Sequence, residues 1–301
     1  MPLRFWKRAK MKLYWCLILL CVLVTFTGCS VKDTATTGKV PLEIERKGKS
    51  MSKNDLLEMV KKQDGVVLEV KEIGVINGRK LKADIIEPKE LPSEKRPAII
   101  FLHGGFYRMG SPEQFRAQAV FFASVYGCYT LSLDYSLTPE GRLWPCPALE
   151  AAYAMRWVRS IAKEKNIDPN RIVLSGGSAG GHLSVIVAAN AQTGRYPVTG
   201  GCDSFSSRPD AVVIFNGYFD LVKYPLDKQV QTMIGSQYPD EVTATVKELS
   251  TVYHVDNKFP PVLQMVGTKD PFCKQSVEFH EKLLSIGVHS EIETYEDRGH
   301  G

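Results

Sequence analysis

From residue 65 onward, short apolar runs alternate with longer stretches whose apolar residues recur every three or four positions. "GVVLEV", "LKADIIEP", "PAIIFLH" and "CYTLSLDY" are each long enough for one strand and rich in branched or aromatic residues. "PALEAAYAMRWVRSIAKEK" then carries apolar residues at helical spacing and ends in cations, which suit the negative end of a helix. "RIVLSGGSAGGHLSVIVAANA" predicts a strand, a sharp turn and a helix. "AVVIFNG" and "PPVLQMVGTKD" predict strands, "CKQSVEFHEKLLSIG" a helix stopped by Gly287, and "HSEIETYE" a last strand. This alternation predicts an α/β fold with a mostly parallel sheet and helices on both faces, whose reactive side chains lie at the carboxyl ends of strands.

The first 64 residues follow another pattern. Arg4, Lys7, Arg8, Lys10 and Lys12 precede "LYWCLILLCVLVTF", Leu13 to Phe26, an apolar run of 14 residues that is short for a membrane span and suited to a signal peptide. "TGCS" follows, and this small-residue approach to Cys29 resembles the lipobox of bacterial lipoproteins, with Phe26 departing from the usual leucine. The resemblance implies lipid attachment at Cys29, export, and anchoring at the bacterial cell envelope. Residues 1–28 are thus expected to be a signal peptide and 29–50, polar and rich in Thr and Lys, a tether. Residues 51–301 form the expected folded domain, entered through a short helix in "SKNDLLEMVKK".

Composition changes this picture little: 44% hydrophobic and 24% charged residues are ordinary for a globular chain. The net charge of +5 has a local origin. With the five early cations set aside, 33 of 38 remain against 33 acids, so nothing points to nucleic acid. Of seven cysteines, Cys16, Cys21 and Cys29 belong to the leader, while Cys128, Cys146, Cys202 and Cys273 are widely spaced. No C-x-x-C pair or His partner stands at zinc spacing, so neither a metal nor a cofactor is expected. Outside the cytoplasm those four could form disulfides or remain buried thiols.

Three strand ends carry chemistry. In "LSGGSAGGHL", Gly176, Ser178 and Gly180 form G-x-S-x-G between an apolar run and a helical pattern. A serine on such a turn has an exposed hydroxyl and sits at a helix N-terminus, where free N–H groups favour developing negative charge. In "FLHGGFYRMG", His103-Gly104-Gly105 follows a strand, and small residues there let backbone N–H groups approach a substrate oxygen. "LQMVGTKDPFC" places Asp270 after one strand and "YEDRGHG" places His300 after the next. A serine hydroxyl needs an imidazole to take its proton, and the imidazole needs an acid to fix its tautomer. The order Ser178, Asp270, His300 meets that need, with Asp297 as a competing acid on the histidine's own loop.

These motifs together resemble the α/β-hydrolase fold, in particular esterases of the hormone-sensitive-lipase-like and acetyl-xylan/feruloyl-esterase-like groups. "LDYSLTPE", "WPCPALEAA" and "IDPNRIVLSGGSAGG" add to the likeness, which runs from about Pro97 to the end. It implies catalysis by Ser178, Asp270 and His300, with the N–H groups of Gly105, Phe106 and Ala179 as the oxyanion hole. His103 is expected to orient its loop. Such esterases continue through a helix after this histidine, so the C-terminal helix is expected to be missing here, through an incomplete reading frame or a natural short form.

The expected activity is removal of acetyl or other small acyl groups from a carbohydrate or polar alcohol through an acyl-enzyme. A small-molecule or oligosaccharide ester is the expected partner, with the membrane held through the N-terminal lipid. A feruloyl or general short-chain carboxylesterase is the alternative, with a peptidase or a catalytically weak surface binding lipoprotein behind it. The aromatic segment from Tyr218 to Phe259 reads as an irregular cap over the strand ends or as a packed connection. Phe106, Tyr107, Trp144, Tyr218 and Phe219 suit a sugar ring, an aryl acyl group or simply a core.

Overall fold

The computed structural model describes residues 65–194, 199–236 and 238–300, together with Ile44–Arg46, Lys49–Met51, Glu58, Lys62 and Gln63. The expected signal peptide, Cys29 and most of the helix expected in "SKNDLLEMVKK" lie outside the described residues. Two short strands, β1 (Ile44–Arg46) and β2 (Lys49–Met51), pair antiparallel at the end of the expected tether.

The domain is built on an eight-stranded sheet. Its strands are β3 (Val66–Ile76), β4 (Arg79–Pro88), β5 (Arg96–Leu102), β6 (Tyr129–Asp134), β7 (Ile167–Gly177), β8 (Ala211–Phe215), β9 (Val262–Gly267) and β10 (Ser290–Tyr295), in the spatial order β10-β9-β8-β7-β5-β6-β4-β3. Every pairing from β6 through β10 is parallel, and β4 alone runs against its two neighbours. The expected mostly parallel sheet is therefore present.

Side-chain alternation divides the core between the two faces. On β5, Ala98, Ile100 and Leu102 face one way and join helices α2 (Cys146–Ser160) and α3 (Ala179–Thr193). Ile99 and Phe101 face the other and meet α1 (Arg116–Tyr126), and Phe101 stacks on Phe115, just before that helix, with centroids 5.2 Å apart. Helix α6 (Cys273–Ser285) packs on β8 and β9 through Phe279 and Leu283. Helices thus cover both faces.

Two expectations need correction. Helix α2 ends at Ser160; the helical spacing beyond it continues as turns, with Ala162 still buried. Of the two readings of the segment after Tyr218, the irregular one is corrected and the packed connection is found: α4 (Asp227–Ile234) and α5 (Pro239–Leu249) bury Val230 and Met233, and Val242, Val246 and Leu249, each set at helical spacing.

Candidate active site

The parallel register brings the relevant strand ends side by side. Leu102 of β5 pairs with Gly176 of β7, Gly177 with Phe215 of β8, Phe215 with Met265 of β9, and Gly267 with Tyr295 of β10. The residues that follow β5, β7, β9 and β10 therefore emerge on one edge, as expected for a parallel sheet.

Ser178 occupies the turn from β7 into α3 with φ 53° and ψ −116°, a conformation that side chains rarely adopt. Its neighbours enforce it. The Ser178 N–H donates to the Phe215 carbonyl at 2.8 Å, and the Ser178 carbonyl accepts from the His182 N–H at 3.0 Å. A Cβ on Gly180 would overlap the Leu102 and His103 carbonyl oxygens, and one on Gly176 would overlap Gly180 itself. The G-x-S-x-G spacing is therefore a steric requirement of passing α3 so close to β5.

Three side chains form a continuous chain. The Ser178 Oγ lies 3.0 Å from His300 Nε2, and His300 Nδ1 lies 2.8 Å from Asp270 Oδ2. The second oxygen, Asp270 Oδ1, accepts from the Phe272 N–H at 2.7 Å, which orients the carboxylate, and the Phe272 ring meets the imidazole edge to face at 5.1 Å. Asp270 is buried, whereas the His300 side chain is 31% exposed and reachable by a substrate. With a carboxylate at Nδ1, the imidazole carries its proton there and presents Nε2 as an acceptor to the serine hydroxyl.

The loop bearing His300 is tied to the loop bearing Asp270. Lys269 N–H donates to Arg298 O at 2.8 Å, Thr268 N–H to Tyr295 O at 2.9 Å, and Asp297 N–H to Thr268 Oγ1 at 3.0 Å. Asp297 pairs with Lys269 at 2.9 Å, which lowers its pKa through the hydrogen bond and charge of the ammonium group. It is a loop residue.

His103-Gly104-Gly105 lies against the elbow: a Cβ on Gly104 would come 3.1 Å from the Gly177 carbonyl oxygen and 3.3 Å from Ser178 Cβ. His103 is buried and stacks on Tyr135 with centroids 4.1 Å apart, and its Nδ1 donates to the Gly104 carbonyl at 2.8 Å. Burial holds its pKa below the usual imidazole value. The Tyr135 hydroxyl donates to the His103 carbonyl at 2.7 Å, and the Gln114 side-chain oxygen accepts from the Gly104 N–H. Beyond these anchors come Gly105 at φ 111°, Phe106 at 51° and Tyr107 at 60°. Ala179 opens α3, where the first N–H groups have no partner within the helix.

Gln114, Tyr135, Phe272 and His182 escaped the sequence reading. Of these only His182 had a signal, standing four residues beyond Ser178 on one helix face. The aromatic set divides. Phe219 stacks on Phe279 in the core at 4.3 Å, while Phe106, Tyr218 and Phe272 pack together, with the Phe106 and Tyr218 rings 6.0 Å apart and Phe272 against His300. Among the described residues, Cys128, Cys146, Cys202 and Cys273 are free thiols, and no cluster of His, Cys, Asp or Glu could hold a metal ion.

A family model described as the alpha/beta hydrolase fold matches residues 99–301. The chain belongs to that family. An esterase of Gibberella moniliformis is 26% identical over 225 residues, covering 72% of this chain and 70% of that one. Ethyl acetate hydrolase of Pseudomonas putida is 27% identical over 217 residues, covering 67% and 64% respectively. Among solved structures, Thermogutta terrifontis esterase 2 phosphonylated by cyclosarin superposes with a TM-score of 0.66 at 29% identity, covering 78% of this chain and 84% of that one. The same esterase bound to propionate gives 0.65 at 29% identity, covering 80% and 86%. This α/β hydrolase is accordingly an enzyme of the serine-esterase type, acting on small esters.

Proposed function

We propose that this hydrolase cleaves short-chain carboxylic esters, acetyl to butyryl, with Ser178 as nucleophile, His300 as general base and Asp270 as its orienting acid. The observation that carries the reading is the unbroken path from Ser178 Oγ to His300 Nε2 at 3.0 Å and from His300 Nδ1 to Asp270 at 2.8 Å. His300 Nε2 takes the hydroxyl proton as Oγ attacks the carbonyl carbon. The carbonyl oxygen becomes an oxyanion, stabilised by the N–H groups of Gly105, Phe106 and Ala179. The imidazolium then returns the proton to the leaving alkoxide oxygen, the C–O bond breaks, and the acyl group stays on Ser178. Water, deprotonated by the same nitrogen, attacks the acyl carbon; the bond to Oγ breaks, the imidazolium returns the proton to Oγ, and the acid leaves.

The relatives support a small acyl group: one is named for ethyl acetate, and another was solved with propionate and with butyrate bound. The general short-chain reading is thus preferred to removal of acetyl from a carbohydrate. A p-nitrophenyl ester series from acetate to octanoate should show turnover falling beyond butyrate. Ser178→Ala should lower kcat on the order of 10⁴-fold or more. Turnover persisting in Ser178→Ala would refute the nucleophile, and acetate release from acetylated oligosaccharides with higher kcat/KM would restore the carbohydrate reading.

Export and lipid anchoring at a bacterial envelope through Cys29 are inferred from the leader and "TGCS". Cys29→Ser should abolish incorporation of labelled palmitate when the full chain is expressed in a bacterium; unchanged incorporation would overturn the assignment.

A further inference from the structure

His182 has no part in the steps above, yet it is completely buried one turn behind Ser178. Its Nε2 lies 2.8 Å from the Leu249 carbonyl oxygen, in the last turn of α5. Its Nδ1 lies 2.9 Å from the Tyr107 hydroxyl, and its ring stacks on Tyr218 with centroids 4.3 Å apart.

The directions of these bonds are forced. A carbonyl oxygen only accepts, so Nε2 carries the proton and donates to Leu249. Nδ1 is then an acceptor, and the Tyr107 hydroxyl must donate to it. The chain runs one way, from Tyr107 to His182 to Leu249, through a neutral imidazole; burial pushes the His182 pKa down to about 4.

One imidazole therefore joins three elements: the helix that begins at Ser178, the loop that bears Gly105 and Phe106, and the end of α5. Phe106 and Tyr107 both hold left-handed backbone angles, unfavourable for bulky residues unless side-chain anchors fix them. Tyr107 is fully buried, and two of the three N–H groups proposed for the oxyanion hole, those of Gly105 and Phe106, immediately precede it.

We infer that His182 is a positioning residue of the ester hydrolysis, fixing Tyr107 so that the N–H groups of Gly105 and Phe106 aim at the oxyanion formed at Ser178, and fastening α5 to the nucleophile helix. The inference rests on the Ser178 reading above. Removal of an oxyanion donor lowers kcat by 10²–10³-fold, and a donor left in place but loosened should lose less, about tenfold. Tyr107→Phe deletes only the hydroxyl. With p-nitrophenyl acetate it should lower kcat about tenfold while leaving KM within about twofold, because the oxyanion exists only beyond the ground state. The inhibition constant of a trifluoromethyl ketone, which forms an oxyanion on the serine, should weaken by the same factor.

His182→Asn should lower kcat comparably, and Tyr107→Phe with His182→Asn together should be no slower than the slower single variant, since both act through one bond. Wild-type kcat in Tyr107→Phe, a loss carried by KM instead, or losses that multiply in the double variant would each overturn the inference. If His182→Asn does not fold, the kcat, KM and ketone measurements on Tyr107→Phe decide alone. Ser178→Ala, measured alongside, separates the two claims: turnover in that variant sinks the nucleophile, whereas an inert Ser178→Ala with an unimpaired Tyr107→Phe sinks only the role of His182.

Discussion

The turn that presents Ser178 and the loop that presents His300 do the same geometric task by different means. At Ser178 the backbone is trapped sterically: β5 passes so close that Gly180 has no room for a Cβ, and His182 is sealed within the protein behind it. At His300 the loop is on the surface, held by hydrogen bonds to Thr268 and Lys269 and by the carboxylate of Asp270. The nucleophile must sit in one place relative to backbone N–H groups, which only rigid backbone packing can supply. The base must accept a proton, pass it on and let alcohol leave, which requires a face open to solvent.

The largest expected effect tests whether directional bonding alone holds the histidine. Asp270→Asn keeps the size of the side chain but presents an amide to Nδ1, favouring the wrong tautomer. In this hydrolase kcat should fall on the order of 10³–10⁴-fold with an unchanged circular dichroism spectrum. A fall of less than tenfold would mean that packing against Phe272, not the carboxylate, orients the ring.

Gly180→Ala applies the opposite test to the elbow. The added methyl meets backbone oxygens of Leu102 and His103, which cannot rotate aside, so the strand and helix must separate. Destabilisation of more than about 3 kcal/mol is expected in urea denaturation, with loss of activity. A variant of wild-type stability would show that the elbow is not sterically trapped.

How far these features were legible follows from the same contrast. The elbow was readable because a local run of glycines is what its sterics demand, and the strands were readable from short apolar runs. Helix α1 left no clear period, since seven consecutive residues from Gln118 to Ser124 are all buried. Helices α4 and α5 were periodic, but the aromatic residues around them left an irregular cap and a packed connection equally open. The order Ser178, Asp270, His300 pointed to candidates without fixing their geometry. The bond from His182 to Leu249 joins residues 67 apart and leaves no mark in either local pattern.

The buried His182 also makes the stability of the fold depend on acid. His182 is buried with its pKa lowered to about 4, while in the unfolded chain it returns to about 6.5. Between these values the unfolded chain binds the additional proton, so stability is fully present above pH 6.5 and declines as pH falls toward 4, by up to about 3 kcal/mol. Urea denaturation at pH 7, 5.5 and 4 should show a shallower decline in His182→Asn than in the parent. His103 shifts the same way and is common to both proteins, so it drops out of the difference. Equal slopes would mean that His182 is not the residue that titrates.

Gly299→Ala should have the smallest effect and gives the sharpest contrast with Gly180. Gly299 directly precedes His300, yet a Cβ there would meet no atom within 4 Å, and its backbone is not in the left-handed region. An alanine that fits without strain restricts the unfolded chain and contributes a stabilisation of about 0.4–1 kcal/mol. Stability in urea should therefore rise slightly or stay level, and kcat/KM should remain within about threefold, because the bonds from His300 to Asp270 and Ser178 do not involve that Cβ. If the substitution instead disabled the enzyme as severely as Gly180→Ala, the loop before His300 would be sterically fixed like the elbow, and the distinction between a packed nucleophile and a tethered base would fail.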